Sequence, residues 1–259
     1  MALVEKTLTG KTGVLQLNRA EKHNSLNGDL MRELTAGLDD LAADGVRVIV
    51  IRAAPGVKVW SAGHDINEIP EPRREPLGYF DALETLLRKV QDCPVPVIAM
   101  VEGSVWGGAC DLCAACDLII AAHGSTFAMT PAKIGIPYNA SGLVHFTNLI
   151  GVHKAKEMFF TARPVAAADA WNNGFVNHVV APEDLESFTM DIAGAIAGNA
   201  PLAVQSLKAE FRLLTRGHSI DAETAEEIQA VRRKVYDSED YAEGIRAFKE
   251  KRTPNFRGK

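Results

Sequence analysis

Two short stretches hold the groups best suited to chemistry, and both offer main chain rather than side chains. In VEGSVWGGACDLCAACDLI, residues 101–119, an apolar approach meets Gly107-Gly108 and then a helix-like run of small residues. A strand feeding a helix is predicted there; the first N–H groups of such a helix have no partner inside it, and glycine leaves them uncovered. In SAGHD, residues 61–65, small residues around Gly63 again let a ligand approach the backbone closely. Two N–H donors converging on one oxygen hold developing negative charge, the arrangement known as an oxyanion hole. SAGHD also supplies His64, the one histidine of seven that lies inside a glycine motif of this kind. A lone histidine is more often structural, so residue type by itself assigns its imidazole no role.

Other chemistries fail on spacing. There is no Gly-x-x-x-x-Gly-Lys-Ser/Thr, no Gly-x-Gly-x-x-Gly after a strand, and GSVWG at Gly103 lacks the central serine of a nucleophile elbow. Cys110, Cys113 and Cys116 form C-x-x-C-x-x-C, but on a helix they fall along one side among alanines, which reads as close packing, and no metal site is expected.

The elements that must position these stretches follow from periodicity. TGVLQLN (12–18) and VRVIVIR (46–52) read as strands, separated by a helix with Leu30, Leu34, Leu38 and Leu41 on one face and a stop at Gly45. Residues 77–93 are predicted as a second helix after the proline-broken IPEPRREP, and 95–101 as the strand leading to the glycine pair. Strands are expected at 117–122, 126–129 and 175–180, and helices at 152–160 and 165–173. After Pro182 the pattern is helical throughout, with Leu185, Phe188, Ile192 and Ile196 on one face, then Val204, Leu207, Phe211 and Leu214 on another.

Composition narrows the class. With 28 basic and 33 acidic residues and no basic face, a nucleic-acid partner is not expected. No apolar run is long enough for a signal peptide or a membrane span, which points to a cytoplasmic protein. At 259 residues and 47% hydrophobic the chain can fill one α/β core and carry an appended helical segment.

V-E-G-x-x-x-G-G-x-x-D downstream of S-A-G-x-D resembles the crotonase (enoyl-CoA hydratase/isomerase) superfamily, whose members stabilise thioester enolates of acyl-CoA substrates. The likeness runs from LNRAEKHNSL at Leu17 to FKEKRTPNF at Phe248. It implies an α/β fold, a ββα spiral core over 1–190 with the acyl-CoA site, and a C-terminal helical trimerisation segment over 191–259, in a homotrimer or homohexamer. It also implies that the N–H groups of His64 and Gly108 hold the thioester oxygen. Lys22 and Lys251 would meet the nucleotide phosphates, Lys251 together with Phe248 from a neighbouring segment or subunit, and the Ala62 carbonyl would meet the adenine. Ile66 would line the substrate site, and Trp106 and Thr130 would shape the acyl pocket.

The hydratases of this family use two glutamates; here Asp111 and Pro131 stand at those positions, which disfavours water addition. SAGHDINE, TFAMTPAKIGIPYN and the C-terminal stretch resemble a decarboxylating branch of the family, so the expected reaction is loss of CO2 from a malonyl-CoA-type thioester, methylmalonyl-CoA to propionyl-CoA, with Tyr138 orienting the leaving carboxylate. No cofactor is expected beyond the coenzyme A of the substrate. A hydratase or isomerase using Asp111 with water, and a non-catalytic acyl-CoA-binding protein, are the alternatives.

Overall fold

The computed structural model describes residues 2–70, 72–215 and 222–258. The chain opens with an antiparallel pair, β1 (Val4–Thr9) and β2 (Thr12–Leu17), followed by α1 (Gly28–Ala43). Three similar turns follow, each giving two strands and a helix: β3 (Val48–Ala53), β4 (Val59–Ser61) and α2 (Ala82–Asp92); β5 (Val97–Val101), β6 (Ser104–Trp106) and α3 (Gly108–Ala115); β7 (Leu118–Ala122), β8 (Thr126–Ala128) and α4 (Ala140–Thr161). Then come β9 (Val165–Ala166), α5 (Ala167–Asn172), β10 (His178–Val180), α6 (Leu185–Gly198), α7 (Pro201–Thr215), α8 (Ala222–Tyr236) and α9 (Glu239–Lys249).

The first strand of each turn joins a six-stranded sheet ordered β1-β2-β3-β5-β7-β10; the second joins a four-stranded sheet ordered β4-β6-β8-β9. Strands β2, β3, β5, β7 and β10 run parallel. This is the ββα spiral. The central strands β3, β5 and β7 are buried on both faces, which is why they read as nearly unbroken apolar runs, whereas the edge strand β1 is largely exposed. In β3, Ile49 and Ile51 point into the main core with the Leu30, Leu34, Leu38 and Leu41 stripe of α1, whereas Val48 and Val50 face a second cluster with Leu185 and Ala193 of α6. Helix α6 therefore packs on the sheet while crossing the 190/191 boundary drawn from sequence.

Several expected elements shift. Helix α2 begins at Ala82 rather than residue 77, because Leu77 adopts a left-handed backbone (φ 54°) and Asp81 caps the helix by accepting from Leu83 N. The helix expected at 152–160 is the second half of α4, which kinks at Gly151 (φ 74°, ψ 158°). Residues 165–173 divide into β9 and α5, since Val165 and Ala166 pair with β8 before the helix starts. The strand expected at 175–180 shortens to β10, where pairing with β7 starts at His178.

Candidate active site

Spiral geometry brings the two glycine stretches together. Strand β4 pairs with β6, so SAGHD leaves the small sheet beside the turn into α3. Gly63 has φ +81°, and a Cβ built on it would lie 2.2 Å from the Trp106 carbonyl oxygen and 3.0 Å from Gly108 N. A Cβ built on Gly108 would lie 3.5 Å from His64 N. Only glycine permits this approach. Leu26 forms a parallel bridge with His64, bonding through Gly63 O and Asp65 N; the His64 N–H therefore points the other way. Gly108 opens α3 behind Gly107 (φ 52°). Among the described residues neither N–H has an internal acceptor.

Both donors border a cavity of about 550 Å³. Its wall includes Lys22, Ala62, His64, Ile66, Trp106, Gly108, Thr130, Tyr138 and Phe248, so nearly every residue singled out from sequence converges here. Lys251 does not: α9 ends at Lys249, and the backbone turns back through Lys251 in a left-handed conformation (φ 54°), leaving it outside the wall in the single chain. Leu77 and Leu83, which no motif marks, also line the cavity, as do Lys133 and Ile136 from within TFAMTPAKIGIPYN. Pro131 is part of the wall and has no group that moves a proton.

Two titratable clusters flank the cavity. His64 Nδ1 faces the Asp65 carbonyl at 3.2 Å, and Nε2 lies 3.6 Å from Asp81 Oδ1, an ion-pair distance. Burial opposes charge on the imidazole, but the Asp81 carboxylate outweighs it and the pKa rises above 6.5. Asp81 answers in kind: burial opposes its charge, His64 and the N–H groups it caps favour it, and its pKa falls.

The second cluster lies behind Tyr138. Its hydroxyl donates to Asp111 Oδ2 at 2.8 Å, and Asp111 Oδ1 accepts from His145 Nδ1 at 2.8 Å. Asp111 is fully buried and absent from the cavity wall. Gly142 of α4 makes room for the pair, since a Cβ there would lie 2.2 Å from the Tyr138 ring and 2.7 Å from Asp111 Oδ2. Burial first, then the charge of Asp111, pushes the phenol pKa well above 10. The single phenol hydrogen is thus given to Asp111 rather than to the cavity, which qualifies the carboxylate-orienting role expected of Tyr138. Asp81 and His145 escaped sequence reading because each is an isolated residue brought to its partner only by tertiary packing.

The chain belongs to the enoyl-CoA hydratase/isomerase family, whose model matches residues 9–259. Within it, the chain is 48% identical to methylmalonyl-CoA decarboxylase of Escherichia coli (strain K12) over 248 residues, covering 96% of this chain and 95% of that one. A solved structure of methylmalonyl-CoA decarboxylase in complex with 2-nitronate-propionyl-CoA superposes with a TM-score of 0.97 at 46% identity, over 99% of both chains. A short-chain-enoyl-CoA hydratase of Clostridium acetobutylicum is 32% identical over 94% of this chain and 93% of its own.

Proposed function

We propose that the protein decarboxylates malonyl-CoA-type thioesters, converting methylmalonyl-CoA to propionyl-CoA and CO2. One observation carries the reading: two unpaired N–H donors face a cavity in which neither family acid-base position is usable, Pro131 being in the wall and Asp111 sealed behind Tyr138. Water addition needs a base at the substrate; decarboxylation does not. When the Cα–carboxylate bond stands perpendicular to the thioester plane, its electron pair passes into the carbonyl as CO2 leaves, and the enolate oxygen is held by the N–H groups of His64 and Gly108. A proton then adds at the α-carbon; His64, biased toward its charged form by Asp81, carries an exchangeable proton at that end of the cavity. No electrons are gained or lost overall, so the step calls for no redox cofactor, and coenzyme A enters as part of the substrate.

In this reading Ile66, Trp106 and Thr130 shape the acyl pocket, Ala62 offers its carbonyl to the adenine, and Lys22 meets the phosphates. Phe248 and, from a neighbouring subunit, Lys251 complete the coenzyme site. The protein works in the cytoplasm as a trimer or hexamer, with residues 191–259 supplying subunit contacts. In the single chain Leu207, Phe211 and Leu214 of α7 are 54%, 66% and 77% exposed, which supports their burial between copies. The test is a panel of malonyl-, methylmalonyl-, ethylmalonyl- and crotonyl-CoA with product analysis. CO2 release from methylmalonyl-CoA is expected. Hydration of crotonyl-CoA without CO2 release would establish a hydratase, and binding without turnover a non-catalytic protein.

A further inference from the structure

Tyr138 is the first member of a hydrogen-bonded chain that crosses the fold. Beyond Asp111 and His145, Nε2 of His145 lies 2.7 Å from Nε2 of Gln91. Gln91 and His145 line a second depression of about 500 Å³, with Asp117, Lys208 and Arg212 across it. The side chain of Asp111 is fully buried and that of His145 is 19% exposed. Three side chains thus join the acyl cavity to another surface.

Counting protons on this chain has a consequence. A phenol has one hydrogen, and a substrate carboxylate can only accept. While Asp111 is ionised and His145 neutral, Asp111 holds the phenol hydrogen as one of its two donors against an uncompensated buried charge. With His145 as imidazolium, Nδ1–H remains on Asp111 and its charge is neutralised, so the phenol hydrogen can turn toward the substrate. Gln91 suits both states: its amide N–H donates to Nε2 of the neutral ring, and its amide oxygen, once the amide turns over, accepts from Nε2–H of the charged ring.

We infer that His145 is a positioning residue for decarboxylation, its protonation against Asp111 deciding whether Tyr138 gives its hydroxyl hydrogen to Asp111 or to the substrate carboxylate. The inference rests on the decarboxylase reading of the cavity. Among the described residues, the charged and titratable groups facing His145 are Asp111 from α3, Glu84 from α2 and Tyr138 from the loop before α4, with Asp117, Lys208 and Arg212 across the depression. Lys208 bonds Asp117 at 2.6 Å and Arg212 pairs with Asp92, so these cations are engaged elsewhere. Burial opposes the charge on His145, but Asp111 and then Glu84 outweigh it, and its pKa rises above 6.5. The charged form is the productive one, so activity is present below that raised pKa and lost as pH rises through it.

The experiment compares the wild type with His145→Gln and Gln91→Glu. It follows CO2 release from methylmalonyl-CoA across about pH 6 to 9, together with propionyl-CoA binding. His145→Gln keeps a neutral donor to Asp111 at every pH. It should lower kcat about tenfold on the acid side and abolish the alkaline fall in kcat that His145 causes, with propionyl-CoA affinity changed by less than about twofold. Gln91→Glu places a permanent acceptor on Nε2–H and should move the alkaline limb up by roughly one pH unit. It decides the matter even if His145→Gln does not fold. His64 with Asp81 would give a limb that Gln91→Glu leaves in place, so a limb unmoved by both variants overturns the role of His145. A wild type that releases no CO2 from any malonyl-type thioester overturns the reading of the cavity instead.

Discussion

Substituting Gly63 by alanine tests the oxyanion hole without deleting a donor. The added Cβ would sit 2.2 Å from the Trp106 carbonyl oxygen, where van der Waals contact needs about 1 Å more. Trp106 belongs to β6, paired on one side with β4 and on the other with β8, so its carbonyl has little freedom to retreat. The segment carrying His64 N must therefore move away from Gly108 N by about that distance. Misplacement of roughly 1 Å costs about a hundredfold in rate, equivalent to about 2.7 kcal/mol of transition-state stabilisation. Forcing φ +81° on an alanine adds strain of its own, roughly 1–2 kcal/mol in stability. Gly10→Ala isolates that second effect, because Gly10 has φ +61° and nothing within 4 Å of the added Cβ. Steady-state CO2 release should fall about a hundredfold in Gly63→Ala and stay unchanged in Gly10→Ala, with thermal melts showing the φ strain alone in Gly10→Ala and a larger loss in Gly63→Ala, where the carbonyl clash adds to it. A folded Gly63→Ala variant with kcat within about threefold of wild type would refute the convergence of His64 and Gly108 on one oxygen.

Tyr138→Phe removes one charge-assisted hydrogen bond and leaves Asp111 Oδ2 without its donor. Kinetics should show a ten- to hundredfold loss of decarboxylation with propionyl-CoA binding nearly intact, and denaturant unfolding a stability loss of about 1–3 kcal/mol; equal loss of turnover and affinity would make it a packing residue. Light scattering should give the mass of a trimer or hexamer, and a stable active monomer would contradict the assignment of Lys251 to a neighbouring subunit's site.

Legibility of the sequence followed the range of the interactions involved. Strands β3 and β5 were readable because burial on both faces leaves them almost wholly apolar, with Arg52 near the end of β3 the exception, and α1 because its leucines recur on one face. The close approach of the SAGHD and Gly107-Gly108 backbones, on which the proposed hole rests, was readable because glycine is demanded there, a requirement that shows in residue type. Strands β4 and β9, three and two residues long, carried too little periodicity to register, though the equally short β8 did, and the start of α2 hinged on a left-handed Leu77 that no pattern announces. His145 sits in SGLVHFTNLIG among apolar neighbours with no motif around it; its meaning comes from Asp111, 34 residues away along the chain.

Helix α3 carries a built-in reporter of its own opening. Cys110 and Cys113 are fully buried, and burial pushes both thiols far above their ordinary pKa, so neither forms the reactive thiolate in the folded state. Cys110 Sγ also donates to the Val105 carbonyl at 3.2 Å, fastening the helix to β6. Alkylation at Cys110 therefore requires that the first turns of α3 come away from the sheet, the same event that would scatter the two proposed oxyanion donors. The labelling rate of Cys110, separated by peptide mapping from those of Cys93 and Cys116, then measures in the unmodified, substrate-free protein how often the start of α3 comes away. Any acyl-CoA that slows labelling is one that clamps this helix in place.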